Sequence, residues 1–345
     1  MTINDKIKEQ TSVPENQSIN PMDTLNLKQQ LIKFQSIIAL LIMCIALSFL
    51  SDRFLTPDNG WNVMRQISVN MVISVGMTLV ILTGGIDLSV GSILALSGAI
   101  TAFLLKSGGE FIDWNLYVGF TLLGALVGGT LVGAFLGWFN GLTITRFKVP
   151  PFVATLAMLT IARGLTMLLT GGFPITGFSD PMAFIGTGWF LGIPMPVWIS
   201  AVVVLAAVVL TNKTKLGRHI YAIGGNETAA ELSGLKIKKI KLIVYSIAGA
   251  LAAVGGIIVT SRLDSAQPNA GMGFELDSIA AVVIGGTSLS GGKGTIMGTV
   301  QGALIIGILN NGLVLLNVSP FWQQVIKGLV ILLAVVIEKF NSKEK

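Results

Sequence analysis

The chain has 345 residues, 52% of them hydrophobic and 12% charged, with a mean hydropathy of +0.78, against about 25% charged residues in an ordinary soluble domain. That composition excludes a water-soluble globular protein and defines a polytopic membrane protein. The net charge of +6 does not call for a nucleic-acid partner, because most basic residues flank apolar spans, where topology accounts for them. One cysteine, Cys44, and one histidine, His219, leave no intrachain disulfide and no multi-histidine metal site.

Residues 1–30 are polar, with Lys6, Lys8 and Lys28 balanced by Asp5, Glu9, Glu15 and Asp23. They show neither the apolar core nor the cleavage site of a signal peptide and read as a flexible cytoplasmic tail. A helix needs about 20 apolar residues to cross the hydrocarbon core. Such runs lie near 32–51, 62–82, 87–105, 116–139, 151–170, 196–211, 242–262, 277–286, 296–316 and 320–338. The expected fold is all-α, with about ten transmembrane helices in a membrane domain over 31–340, the eighth short or broken, and a second tail at 341–345. With the amino terminus inside, segments 1–33, 140–150, 212–241, 287–295 and 339–345 hold 17 of the 23 Lys and Arg, and the outer loops hold Arg53, Lys106 and Arg262. Positive charge marks the cytoplasmic side, so both termini are expected there. The loop 171–195 carries Asp180 as its only charge, which suits an external position.

Polar groups within spans cost free energy and therefore point to packing or function. Asn70, Gln301, Asn310 and Asn311 are uncharged amides in or near spans. They suit hydroxyl-rich solutes, which need donors and acceptors but no countercharge, and they equally suit bonds between neighbouring helices. Arg163 sits inside an apolar run, where an arginine costs about 2.5–3.5 kcal/mol on insertion scales. It requires protein, water or a polar partner, with backbone carbonyls as readily as solute. Gly129, Gly133, Gly137 and Gly141, and again Gly294, Gly298 and Gly302, form ladders on which a helix of this chain or of a second copy can pack closely.

Two segments share Gly-Gly-x-x-Leu-Ser-x-Gly: Gly84 to Gly91, containing Asp87 and Ser89, and Gly285 to Gly292, containing Ser288. An internal repeat with broken helices at matching places points to a transport pathway or gate, and a pair of interhelical turns is the alternative. Ten spans place both segments on the cytoplasmic side, in a parallel relation. Asp87 suits a cap on the following helix, with solute contact as the alternative. The run Gly286 to Thr295 fails as a phosphate loop, since Thr287 stands where the first Gly belongs and Gly294 follows Lys293 where Ser or Thr belongs. The chain is thus expected to bind no cofactor, and any ATP-driven work needs another polypeptide.

Between two spans, residues 212–241 carry Lys213, Lys215, Arg218, Lys236, Lys238, Lys239 and Lys241. A short helix is predicted over roughly 227–233, after the Gly224-Gly225-Asn226 turn and before Gly234. Exposed on the cytoplasmic face, it is a handle for a partner protein.

The runs Met77 to Ser92, Tyr221 to Glu227, Ser265 to Pro268 and Ala280 to Leu289 resemble the permease subunits of bacterial ribose ABC importers, within the ribose/branched-chain amino-acid permease family, and the likeness extends over about 35–338. The resemblance implies a homodimeric inner-membrane channel for a monosaccharide, fed by an external sugar-binding protein and driven by a cytoplasmic ATP-binding subunit that holds ATP and Mg. Many ABC importers dock that subunit through an E-A-A-x-x-x-G loop. Here Thr228, Ala229, Ala230, Glu231, Leu232, Ser233 and Gly234 fit it with Thr228 in place of Glu, so docking is expected over Asn226, Glu227 and these residues. The implied mechanism is alternating access without covalent chemistry in this chain. The rivals are an ion-coupled sugar or amino-acid transporter, disfavoured by the scarcity of membrane carboxylates, an intramembrane enzyme, for which no catalytic constellation is visible, and a receptor or scaffold.

Overall fold

The structure is a computed structural model that describes residues 21–107, 109–111 and 116–343, with side chains over 36–107 and 119–336. Residues 1–20 of the expected tail lie outside the described residues. Helix α1 (Pro21–Leu50) already starts within that segment, with proline at a position where its missing N–H is no loss. Then follow α2 (Pro57–Leu82), α3 (Val90–Lys106), β1 (Gly109–Phe111), β2 (Leu116–Val118), α4 (Leu122–Arg146) and α5 (Pro151–Thr170). Next come β3 (Ile175–Thr176), α6 (Asp180–Thr187), β4 (Trp189–Phe190), β5 (Ile193–Pro194), α7 (Met195–Lys213), α8 (Lys215–Gly225) and α9 (Glu227–Leu232). The chain closes with α10 (Ile237–Arg262), β6 (Ser265–Ala266), α11 (Phe274–Ile284), α12 (Ile296–Leu315) and α13 (Pro320–Lys343).

The described residues are thus mostly helical, but not all-α, since β1–β2, β3–β6 and β4–β5 form three short antiparallel pairs. Six helices, α2, α4, α5, α7, α10 and α12, are each long and apolar enough to cross a membrane, and shorter apolar stretches occupy Ser36–Leu50, Val90–Lys106 and Pro320–Val336. The eleven residues of α11 rise about 16 Å, half of a bilayer core. It is the short helix expected near 277–286.

Caps explain where hydropathy misplaced an end. The span expected at 116–139 begins at Leu122, because the Thr121 hydroxyl accepts from Gly124 N (3.2 Å) and residues 116–118 pair with 109–111 instead. It runs on to Arg146, and of its glycine ladder Gly133, Gly137 and Gly141 pack on α10 while Gly129 packs on α3. A Cβ at Gly137 would lie 2.1 Å from Tyr245 O, and one at Gly133 2.5 Å from Gly249 O. The ladder at Gly294, Gly298 and Gly302 faces the α11 side, with Gly302 against Ala281 O. Both ladders therefore make contacts within one chain, a choice that spacing alone left open.

Helix α2 is the hub. Apolar nearly all round, it is buried along most of its length, as such a helix must be, and α10 lies against it through Gly76 and Ala248. By contrast α5 and α7 keep most of their surface open. The two ends of the bundle differ chemically. At one end, hereafter the basic face, Leu82 O accepts from Gly292 N (3.1 Å) beside Gly224, next to α8 and α9. At the opposite face, β3 pairs with β6, Trp61 meets Trp189 edge-on at 5.4 Å, and Arg65 stacks over Trp189 at 4.9 Å.

Candidate functional site

Two of the amides within spans, Asn70 and Asn310, meet at one polar cavity. About 120 Å³ in volume, it lies among α2, α10, α11, α12 and α13 and is lined by Gln66, Asn70, Arg262, Asp277, Asn310, Gln323 and Lys327 alongside four apolar residues. Asn70 is midway along α2, and Asp277 is in the first turn of the short helix α11. A half-length helix opening onto a polar cavity is an arrangement by which transporters expose backbone and side-chain groups to polar cargo. Lys327 Nζ donates to Asp277 Oδ2 (3.0 Å) and Asn310 Nδ2 reaches the same oxygen at 3.4 Å. The carboxylate and ammonium thus neutralise each other. Asn70 Oδ1 and Asn310 Oδ1 are buried and accept no hydrogen bond among the described residues, so a hydroxyl-bearing solute finds acceptors there.

Of the residues singled out from sequence, Asn70 and Asn310 share this cavity. Gln301 is half-buried on α12 and does not line it. Asn311 and Asn59 exchange amide hydrogen bonds (2.9 and 3.1 Å), joining α12 to α2 as a bond between helices. Arg163 takes the structural role as well, donating from Nη1 to Pro268 O (2.6 Å) and Ala270 O (2.9 Å) and so pinning the stretch before α11. Sequence reading passed over Asp277 and Lys327. They lie 50 residues apart in the chain, and only the return of α13 beside α11 pairs them.

At the basic face the two similar segments are turns, and they touch. Gly84 (φ +76°) and Gly286 (φ +84°) each close a helix in the left-handed conformation. Gly84 N donates to Ile81 O and Gly85 N to Val80 O, and likewise Gly286 N to Val283 O and Thr287 N to Val282 O. Both are Schellman closures. The geometric equivalence is therefore Gly84 with Gly286, one residue out of step with the sequence repeat, and after the turn the connections differ in length. Gly291 lies against Gly84 N, and Gly292 against Gly225 N. Ser288 bonds Ser290 within the turn (2.8 Å). Gly224 and Gly225, expected as a turn, instead form the end of α8, and Tyr221 OH from that helix donates to Gly294 O (2.9 Å). The helix ending at Gly225 leads directly into α9. Its first residue follows Asn226, whose side chain accepts from Ala229 N (2.9 Å), and Gly234 (φ +84°) lies just beyond its end. The predicted short helix thus occupies its expected place and touches, through α8, both repeat turns.

Asp87 differs from the expected cap. Its Oδ1 accepts from Ser89 N (2.9 Å) and Ser89 Oγ (2.5 Å), closing a local turn before α3 rather than bonding the amides of its first turn. Asn140 Nδ2 adds a bond to Ser89 Oγ (2.9 Å), tying α4 to this turn. All three side chains are buried. An Asp87→Asn variant keeps the accepting Oδ1 and is expected to assemble and transport like wild type, whereas Asp87→Ala loses both bonds and folds poorly. A folded, assembled but inactive Asp87→Asn protein, read by size-exclusion profile and uptake together, would show that the charge itself works in transport.

A helical membrane protein with a half-length helix at a polar cavity, and a short helix presented on its basic face, has the build of a solute permease. The chain belongs to the branched-chain amino acid transport system/permease component family, whose model matches residues 60–335. It is similar to Ribose import permease protein RbsC of Haemophilus influenzae (48% identical over 330 residues, 94% of this chain and 99% of that protein). It is similar also to Ribose import permease protein RbsC of Escherichia coli strain K12 (50% over 321 residues, 92% of this chain and 96% of that protein). D-allose transport system permease protein AlsC of the same strain is 42% identical over 303 residues, 88% of this chain and 90% of that protein. No solved structure matches the chain.

Proposed function

We propose that this chain is the membrane-spanning subunit of an ATP-binding-cassette importer that carries ribose inward across the bacterial inner membrane by alternating access. The observation that carries the reading is the 48–50% identity to ribose import permeases over more than nine-tenths of the chain, against 42% for the allose permease. The subunit performs no covalent chemistry. ATP and Mg act on a cytoplasmic partner docked on residues 226–234, and an external sugar-binding protein delivers the sugar at the face of β3 to β5.

In this reading the six long apolar helices, the three shorter apolar ones and α11 are ten crossings, with both termini cytoplasmic and the basic face inside, which the positive-inside rule supports. A second copy completes the channel. Within each copy, Asn70 and Asn310 belong to the sugar path, Asp87, Ser89 and Ser288 to the inner turns that act as its gate, and Gln301 to the helix lining between them. Arg163 and Asn311 hold the frame. Closure of the ATP-binding subunits moves α9, and the glycine contacts between α8 and the two repeat turns carry that movement to α2, α3, α11 and α12.

Proteoliposomes containing the chain with its ATP-binding and sugar-binding partners are expected to accumulate radiolabelled ribose only when ATP is present at the basic face. Uptake that needs neither ATP nor the partner would overturn the mechanism in favour of ion coupling. ATP-dependent uptake of allose in preference to ribose would keep the mechanism and change the cargo.

A further inference from the structure

Two grooves on the flank of the bundle meet at Leu216. One, about 600 Å³, runs along the open side of α7, lined by Val202, Leu205, Ala206, Val209 and Leu210. The other, about 310 Å³, lies between α8 and the start of α10, lined by His219, Lys236, Lys239, Ile240 and Ile243. Leu216 lines both, so an aliphatic channel along a membrane span continues into a pocket with cationic side chains.

The order of residues along α10 gives this site a direction. Positions 239, 240 and 243, three and four apart, share one helix face with Lys236 just before it. Lysines occupy the aqueous end and isoleucines the deeper end. Lys236 and Lys239 are exposed, and neither makes an ion pair among the described residues. An anionic group over an aliphatic tail is the chemistry that matches this gradient. A soluble partner reaches the lysines but not the α7 groove, which lies on a strongly apolar span whose solvent is lipid.

We propose that the two grooves form one site for an anionic phospholipid of the leaflet at the basic face. Its phosphate sits on Lys236 and Lys239 beside His219, and an acyl chain lies along Val202, Leu205 and Val209. Basic pockets between helices at this depth bind acidic headgroups through the same arrangement. The pocket also includes Gly234 and Leu235, which end the α9 segment, so the bound lipid braces the docking helix from beneath. The site is independent of which sugar is carried.

The test uses the purified full-length chain exchanged into phosphatidylcholine nanodiscs containing phosphatidylglycerol, with retained lipid counted by native mass spectrometry. Wild type is expected to retain phosphatidylglycerol in preference to phosphatidylcholine. Lys236→Gln and Lys239→Gln each lower that retention about fivefold, with the unfolding temperature in pure phosphatidylcholine unchanged. Leu205→Trp, which fills the exposed α7 groove, lowers it too. Equal retention of the two lipids by wild type, or a lysine double variant that retains as much phosphatidylglycerol as wild type, overturns the proposal. So does hydrogen-exchange protection of 234–243 that depends on the ATP-binding subunit and not on the acidic lipid, which would make the groove a protein contact.

Discussion

Leu232→Asp is expected to abolish co-purification of the ATP-binding subunit and to reduce ATP-driven ribose uptake about 30-fold or more, while the chain alone unfolds at the wild-type temperature. Leu232 is 85% exposed and is the one large apolar side chain on the open side of α9, which otherwise shows Glu227, Thr228, Ala229 and Glu231. A large apolar side chain displayed to water on a rigid element is what a partner's pocket uses as an anchor, and truncating such an anchor costs about 2–4 kcal/mol of binding. The element is rigid for stated reasons. Asn226 caps its start, Lys241 Nζ holds Glu227 at 2.7 and 2.8 Å, and Ala230 is buried against the core. Those features separate Leu232 from its neighbours. Ala230→Glu would push a carboxylate into the foot of the helix, and a side chain at Gly234 would strain a left-handed backbone, so loss of assembly in either would report damage to α9 itself. Leu232→Asp changes a side chain that is mostly open to solvent. Normal assembly and uptake in that variant would remove α9 from the docking surface.

The extent to which sequence disclosed this molecule follows from the range of the forces involved. Span α5 was read at its full length, 151–170, because both of its signals are local: Pro151 at the first position and Gly171, left-handed at φ +62°, just after the last. The short helix α9 was legible for the same reason. Helix α8 was not, since it is only eleven residues long and buries Ile220 and Ile223 on one face while carrying Lys215, Arg218 and His219. The repeat was seen but misregistered by one residue, because Gly-Gly pairs match in sequence wherever they align, whereas the Schellman closure selects one glycine of each pair. In the cavity, single amides within spans were visible as costly and thus meaningful. Which of them share a cavity depends on helices far apart in the chain, and no local pattern distinguishes Asn310, which lines it, from Asn311, one residue on, which ties α12 to α2.

The pairing of Asp277 with Lys327 is the contact that sequence could least foretell, and its disruption is expected to have a large effect. Lys327→Met leaves the Asp277 side chain, 4% exposed, with the Asn310 amide at 3.4 Å as its remaining partner among the described residues. Removing one member of a buried pair costs about 3–5 kcal/mol because the other charge stays desolvated. Lys327 is itself 29% exposed, so the lower end of that range applies. The variant should show a markedly reduced yield and unfolding temperature in detergent. Adding Asp277→Asn removes the orphaned charge and keeps an acceptor for Asn310, so the double variant is expected to recover stability. Uptake then separates two roles that stability cannot. If the pair only holds α11 to α13, ribose uptake returns along with the fold. If Asp277 and Lys327 also face the sugar beside Asn70 and Asn310, the double variant folds and assembles but its KM for ribose rises about tenfold, the cost of roughly one lost charge-assisted hydrogen bond. The second outcome is favoured by the geometry, because both side chains line the cavity as well as each other.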